Sequence, residues 1–133
     1  MLEMIDGTPA AYQPGVCNIG PAEIRRRQQI GWLGLAGALV LGVILLAVDA
    51  PAVTRLAIAL PVAAAISGFL QAHLRFCAGF GLAGLQNFGE LGTEQRVADA
   101  EARAADRSRA LRIHGAAFVG GLLAGVAFVA LPI

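Results

Sequence analysis

The run Ile30–Val48, IGWLGLAGALVLGVILLAV, contains nineteen residues and no ionisable side chain. At a helical rise of 1.5 Å per residue it reaches about 28 Å, the thickness of a bilayer's hydrocarbon core. Two further runs repeat the pattern: Leu56–Leu74 (LAIALPVAAAISGFLQAHL) and Ile113–Ile133 (IHGAAFVGGLLAGVAFVALPI). Their centres are also free of charge, with His73 and His114 confined to the ends. In a chain of 133 residues, 57% of them hydrophobic, three such runs make up much of the molecule. The fold expected is therefore all-α and integral to a membrane, with three transmembrane helices: a hairpin plus a third helix that extends into the cytoplasm. One domain, residues 1–133, accounts for the whole.

Charge orients the expected fold. The formal net charge is only +1, too small for bulk attraction to nucleic acid to be the theme, so no nucleic-acid partner is expected. All ten basic residues are arginine, and nine of them precede the first span or lie between the second and third; Arg55 is the exception. Basic loops stay in the cytoplasm, which predicts a cytoplasmic N-terminus, an outer turn at Asp49–Arg55 and an outer C-terminus, in a bacterial inner membrane. The polar leader is long and the first run exceeds a usual signal-peptide core, so that run reads as retained. Cys17 and Cys77 then face a reducing compartment and are expected as thiols.

Along the chain, residues 1–20 mix Pro and Gly without period and read as an irregular arm. Residues 21–77 read as the helical hairpin. Pro21 and Glu23 open it as a first helical turn favours, Asp49-Ala50-Pro51 breaks it, and Pro61 predicts a kink in the second span. Residues 78–92, with five glycines, read as an interfacial loop too glycine-rich for a stable helix. Residues 93–133 read as a helix capped by Thr93 and continuous with the third span.

Helices in lipid associate through small residues that let backbones approach. Each span carries such a ridge: Gly34, Ala38 and Gly42; Ala64, Gly68 and Ala72; Ala117, Gly121 and Gly125. Three ridges can close on one another, and any ridge left over favours a homodimer or docking to another membrane subunit. Span interiors free of Asp, Glu, Lys, Arg and His argue against ion- or proton-driven transport.

Candidate chemistry clusters at the cytoplasmic ends. Cys17, His73, Cys77 and His114 share that face, and a helix continuing past His73 would put Cys77 on its side, as a soft metal site requires. The stronger reading makes Cys a small buried residue and His a headgroup-level one, so no cofactor is expected. Arg25, Arg26 and Arg27 serve as the topology signal and as contacts to anionic headgroups. No phosphate-binding glycine loop, Ser/His/Asp set or carboxylate pair can be assembled, so no enzyme is expected.

Two short motifs carry a resemblance. Asn18-Ile19-Gly20, Glu23, Arg27 and Gly31 match the opening N-V-G-x-x-E-R-x-x-R-x-x-x-G, and Cys77, Phe80 and Gly84 match the closing C-P-x-Y-x-x-x-G. Ile24, Ala78 and Phe80 stand where the pattern has Arg, Pro and Tyr. Over residues 18–84 the chain thus resembles the small two-span inner-membrane domains sometimes fused to rhodanese sulfurtransferases. The resemblance implies a helical hairpin and dimer-prone membrane association rather than an activity. It also draws attention to Cys77, since the fused partner handles sulfur. The function expected is that of a non-catalytic structural or accessory subunit, or homo-oligomer, with lipid and membrane proteins as partners. The alternative is a thiol- or metal-handling protein using Cys17 and Cys77.

Overall fold

A computed structural model describes residues 12–133; the first eleven residues of the expected arm lie outside it. The fold is all-α, and its three long helices are each apolar enough to cross a membrane. Helix α1 (Pro21–Ala47) starts on Pro21, with Glu23 in its first turn. It ends before Asp49, whose φ of +53° turns the chain. A 3₁₀ segment, Ala52–Ile58, then leads into α2 (Ala59–Leu74). Pro61 consequently falls in the first turn of α2, just past the change from 3₁₀ to α geometry, where a missing N–H is best tolerated.

Past α2 the chain departs from the expected loop. The segment Ala78–Ala83 forms a short helix, α3, and Leu85–Gln86 (β1) pairs antiparallel with Gln95–Arg96 (β2). A side chain at Gly81 would come within 2.9 Å of the Asp106 carbonyl oxygen. The glycine that weakens α3 as an isolated helix is thus what lets it lie against its neighbour. Helix α4 runs unbroken from Ala100 to Ala130, continuous into the third span as expected, but it begins later. Asp99, not Thr93, caps it by accepting from the Ala102 N–H at 2.9 Å. Thr93 instead bonds the Glu90 carbonyl and the Asn87 side chain inside the β1–β2 loop.

Helix α2 lies between α1 and α4, and each flanking helix packs on it through glycine. An added Cβ at Gly68 would meet the Arg27 carbonyl oxygen at 2.7 Å and Gly31 Cα at 2.8 Å. One at Gly34 would meet Ala65 Cα at 2.9 Å. On the other side, one at Gly121 would meet Ala59 O at 2.6 Å and Ala63 Cβ at 2.9 Å. Gly34, Ala38, Gly42, Ala117, Gly121 and Gly125 are all buried. The α2 ridge is corrected by one position: Ala64 is exposed, and Ala65 joins Gly68 and Ala72 in the contact. No expected ridge is left over for a partner.

Arg55 closes the opposite end of the bundle. It is 5% exposed and donates to the carbonyls of Phe128, Leu131 and Ile133. Those carbonyls lie at the α4 C-terminus, where orphan acceptors and the helix dipole favour a cation.

Candidate functional site: a buried polar knot and an adjacent pocket

At the arginine-rich end, side chains from every part of the hairpin converge under cover. The first turns of α1 place Glu23 and Arg27 four residues apart, so they share a face, and their charged groups approach to 3.2 Å. Glu23 is 1% exposed and Arg27 8%. The second Glu23 oxygen accepts from the Asn87 amide at 2.9 Å. Asn87 in turn holds its own loop, donating to the Glu90 carbonyl and accepting from Gly89 and Thr93. Arg27 reaches across to α3, where its Nη2 donates to Cys77 Sγ at 2.7 Å and its guanidinium lies 5.8 Å from the Phe80 ring centre.

Asn18 ties the arm to the same point. Its amide donates to the Cys77 carbonyl at 3.1 Å and its oxygen accepts from the Cys77 N–H at 2.7 Å, the two-bond pairing that a strand neighbour would make. Gln71 accepts from the Ala78 N–H at 2.8 Å, satisfying a donor at the start of α3. The motif residues Asn18, Glu23, Arg27, Cys77 and Phe80 therefore meet in one place. Gly20 and Gly31 supply close approaches beside them, within 2.9 Å of Phe88 and 2.7 Å of the Phe69 ring for an added Cβ.

A second tie anchors the arm to α4. Asp106, fully buried, accepts from the Tyr12 hydroxyl at 2.6 Å and the Gly15 N–H at 2.7 Å, while Arg109 donates to the Gly15 carbonyl. Burial first, and then the hydrogen bond to Asp106, push the Tyr12 phenol above its ordinary pKa of 10.0.

The residues singled out for chemistry are dispersed. Helix α2 ends at Leu74, and Arg75 adopts a left-handed backbone with φ +55°, so the one-face relation of His73 to Cys77 is lost. His73 and His114 are exposed, Cys77 is buried and Cys17 half-buried. Among the described residues no three His, Cys, Asp or Glu groups are placed to hold a metal, so Cys17, His73, Cys77 and His114 form no such set. Arg25 and Arg26 are exposed, as headgroup contacts require, but Arg27 belongs to the knot and is corrected out of that group. Asn87 and Asp106 escaped the sequence reading. The Asn-Phe-Gly context of Asn87 was the available signal, since an Asn side chain in a turn bonds the backbone two residues on, here the Gly89 N–H.

Beside the knot lies a pocket of about 390 Å³ between the arm and the hairpin. Ile24, Leu74 and Phe88 line its apolar side, while Gln13, Cys17 and Arg75 supply its polar groups. Burial pushes the Cys17 thiol up in pKa, partly offset by the Arg75 charge.

No family model matches the chain, and no curated protein or solved structure matches it significantly.

Proposed function

We propose that this is a small non-catalytic protein of a bacterial inner membrane, oriented with its arginine-rich end in the cytoplasm, that serves as a structural or accessory subunit. One observation carries the reading: the buried polar side chains of the knot are spent on bonds that hold the chain to itself. Asn18, Glu23, Arg27, Gln71, Asn87 and Asp106 each have partners within the chain. A transport or catalytic centre needs polar groups that face a ligand instead. What remains outward are lipid-depth surfaces, such as Leu33, Leu39 and Val43 on α1 and Phe118, Leu122 and Leu123 on α4. With the small-residue ridges engaged internally, docking to another subunit falls to these larger apolar side chains. Orientation follows the arginine distribution, and the meeting of the motif residues supports kinship with the two-span membrane domains.

The test is native mass spectrometry of the protein released gently from its own membrane, with elemental analysis of the same sample. A defined assembly with other membrane proteins or with itself is expected. A strictly monomeric species without companions contradicts the proposal.

A second reading is favoured by the Arg27–Cys77 contact, which seats this sulfur at the centre of the knot. In that reading Cys77 handles sulfane sulfur. It predicts that Cys77→Ser abolishes bound sulfur, and it fails if that content and thiol reactivity are unchanged.

A further inference from the structure

The pocket beside the knot has a depth, a charge and a strained residue that point to one ligand. Ile30 begins the uncharged run of α1, which puts Ile24 roughly 9 Å beyond the hydrocarbon edge and in the headgroup layer. Trp32, 64% exposed, stands next to that edge, where interfacial tryptophans gather. On α2, Gly68 packs against Gly31, so Leu74 and Arg75 lie at the depth of Ile24. Leu74 and Arg75, the last residue of α2 and its cap, line the pocket with Ile24.

Charge at this level is positive. Arg25, Arg26 and Arg75 are exposed, while Glu23 is buried against Arg27. Arg75 also holds a left-handed backbone that costs arginine energy and glycine almost none. Helices that end in this geometry usually place Gly there. Strain of this kind persists where the side chain has a use.

We propose that this pocket binds one anionic phospholipid. Arg75 and Gln13 hold the phosphate, while the glycerol and first acyl carbons lie along Ile24, Leu74 and Phe88. A volume near 390 Å³ accommodates the polar half of a lipid, leaving its chains in the bilayer. A zwitterionic lipid brings an ammonium group to a surface already bearing Arg25 and Arg26, so the anionic headgroup is preferred.

The experiment uses the full chain, delipidated in mild detergent, and native mass spectrometry with added phosphatidylglycerol or phosphatidylcholine. Wild type is expected to retain a single phosphatidylglycerol adduct and at least fivefold less phosphatidylcholine. Arg75→Gly relieves the backbone while removing the charge, so it should stay folded and lose the adduct at least fivefold. Ile24→Trp fills the pocket with every charge retained and should also lose it. Arg112→Gln, which removes an exposed arginine outside the pocket lining, should keep it. Glycerol phosphate without chains should not compete; displacement by it would assign the site to a free phosphate compound and overturn the lipid proposal. An adduct that survives Arg75→Gly, or that Arg112→Gln removes equally, reports diffuse surface attraction and overturns it too.

Discussion

Replacing Gly68 by alanine adds one methyl group at the closest approach of α1 to α2. The new carbon would sit 2.7 Å from the Arg27 carbonyl oxygen and 2.8 Å from Gly31 Cα, whereas carbon contacts settle at about 3.5–4.0 Å. Both obstacles are backbone, so no rotamer change relieves them, and the helices must part by about 1 Å. A gap of that size forfeits a quarter to a half of the attraction across the contact. It also displaces the α1 turn that carries Arg27. Overpacking of a closed interface costs about 1–3 kcal/mol. A loss near 2 kcal/mol lowers the folding equilibrium roughly thirtyfold. Reversible unfolding in mixed micelles, followed by helical circular dichroism, measures the change. Gly115→Ala is the matched control, because no atom lies within 4 Å of its added carbon and alanine is the better helix former. The reasoning predicts a destabilised Gly68→Ala beside an unchanged or stabilised Gly115→Ala. Equal stability of Gly68→Ala and wild type refutes it.

Two further outcomes follow from the arm. Tyr12 is the chain's only tyrosine, so its phenolate absorbance can be titrated directly. Its native pKa is raised, first by burial and then by the Asp106 bond, so the stability linked to a neutral phenol is intact below pH 10.0 and is lost as pH rises beyond it. The midpoint should lie above 10.0 and fall part-way back in Asp106→Asn, burial remaining; a wild-type midpoint at or below 10.0 removes the tie from the account. Of the two thiols, half-buried Cys17 should be alkylated before buried Cys77, and Arg75→Gly should slow Cys17 by removing the charge that offsets its raised pKa. Faster labelling of Cys77 than of Cys17 in the folded protein contradicts the burial assigned to each.

The spans, their order and the continuity of α4 were legible because hydropathy over nineteen or more residues is a long signal that neighbouring structure cannot overrule. Boundaries were less so. Thr93 and Asp99 are both competent caps, and the choice fell to Asp99 because β1 claims Gln95 and Arg96 as a partner strand. The α2 ridge was misplaced by one residue because alanines fill positions 63, 64 and 65, leaving spacing without a unique phase. The site was half legible. Motif spacing singled out Asn18, Glu23, Arg27 and Cys77, but only folding brings Asn87 to Glu23 from 64 positions away. Motif spacing set Arg27 apart from Arg25 and Arg26, but its burial depends on which side of α1 faces α2, and a run of three arginines does not show that.

The most direct test of the knot is a stability cycle on Glu23 and Arg27 in the same micellar unfolding assay. Breaking a buried pair by Arg27→Met leaves the Glu23 carboxylate covered and uncompensated, a loss of about 3–5 kcal/mol. Replacing both partners, Glu23→Leu with Arg27→Met, removes the stranded charge, and most of the lost stability should return. Single and double variants losing the same small amount, under about 0.5 kcal/mol, would place the pair in solvent and contradict a buried knot that holds the hairpin together.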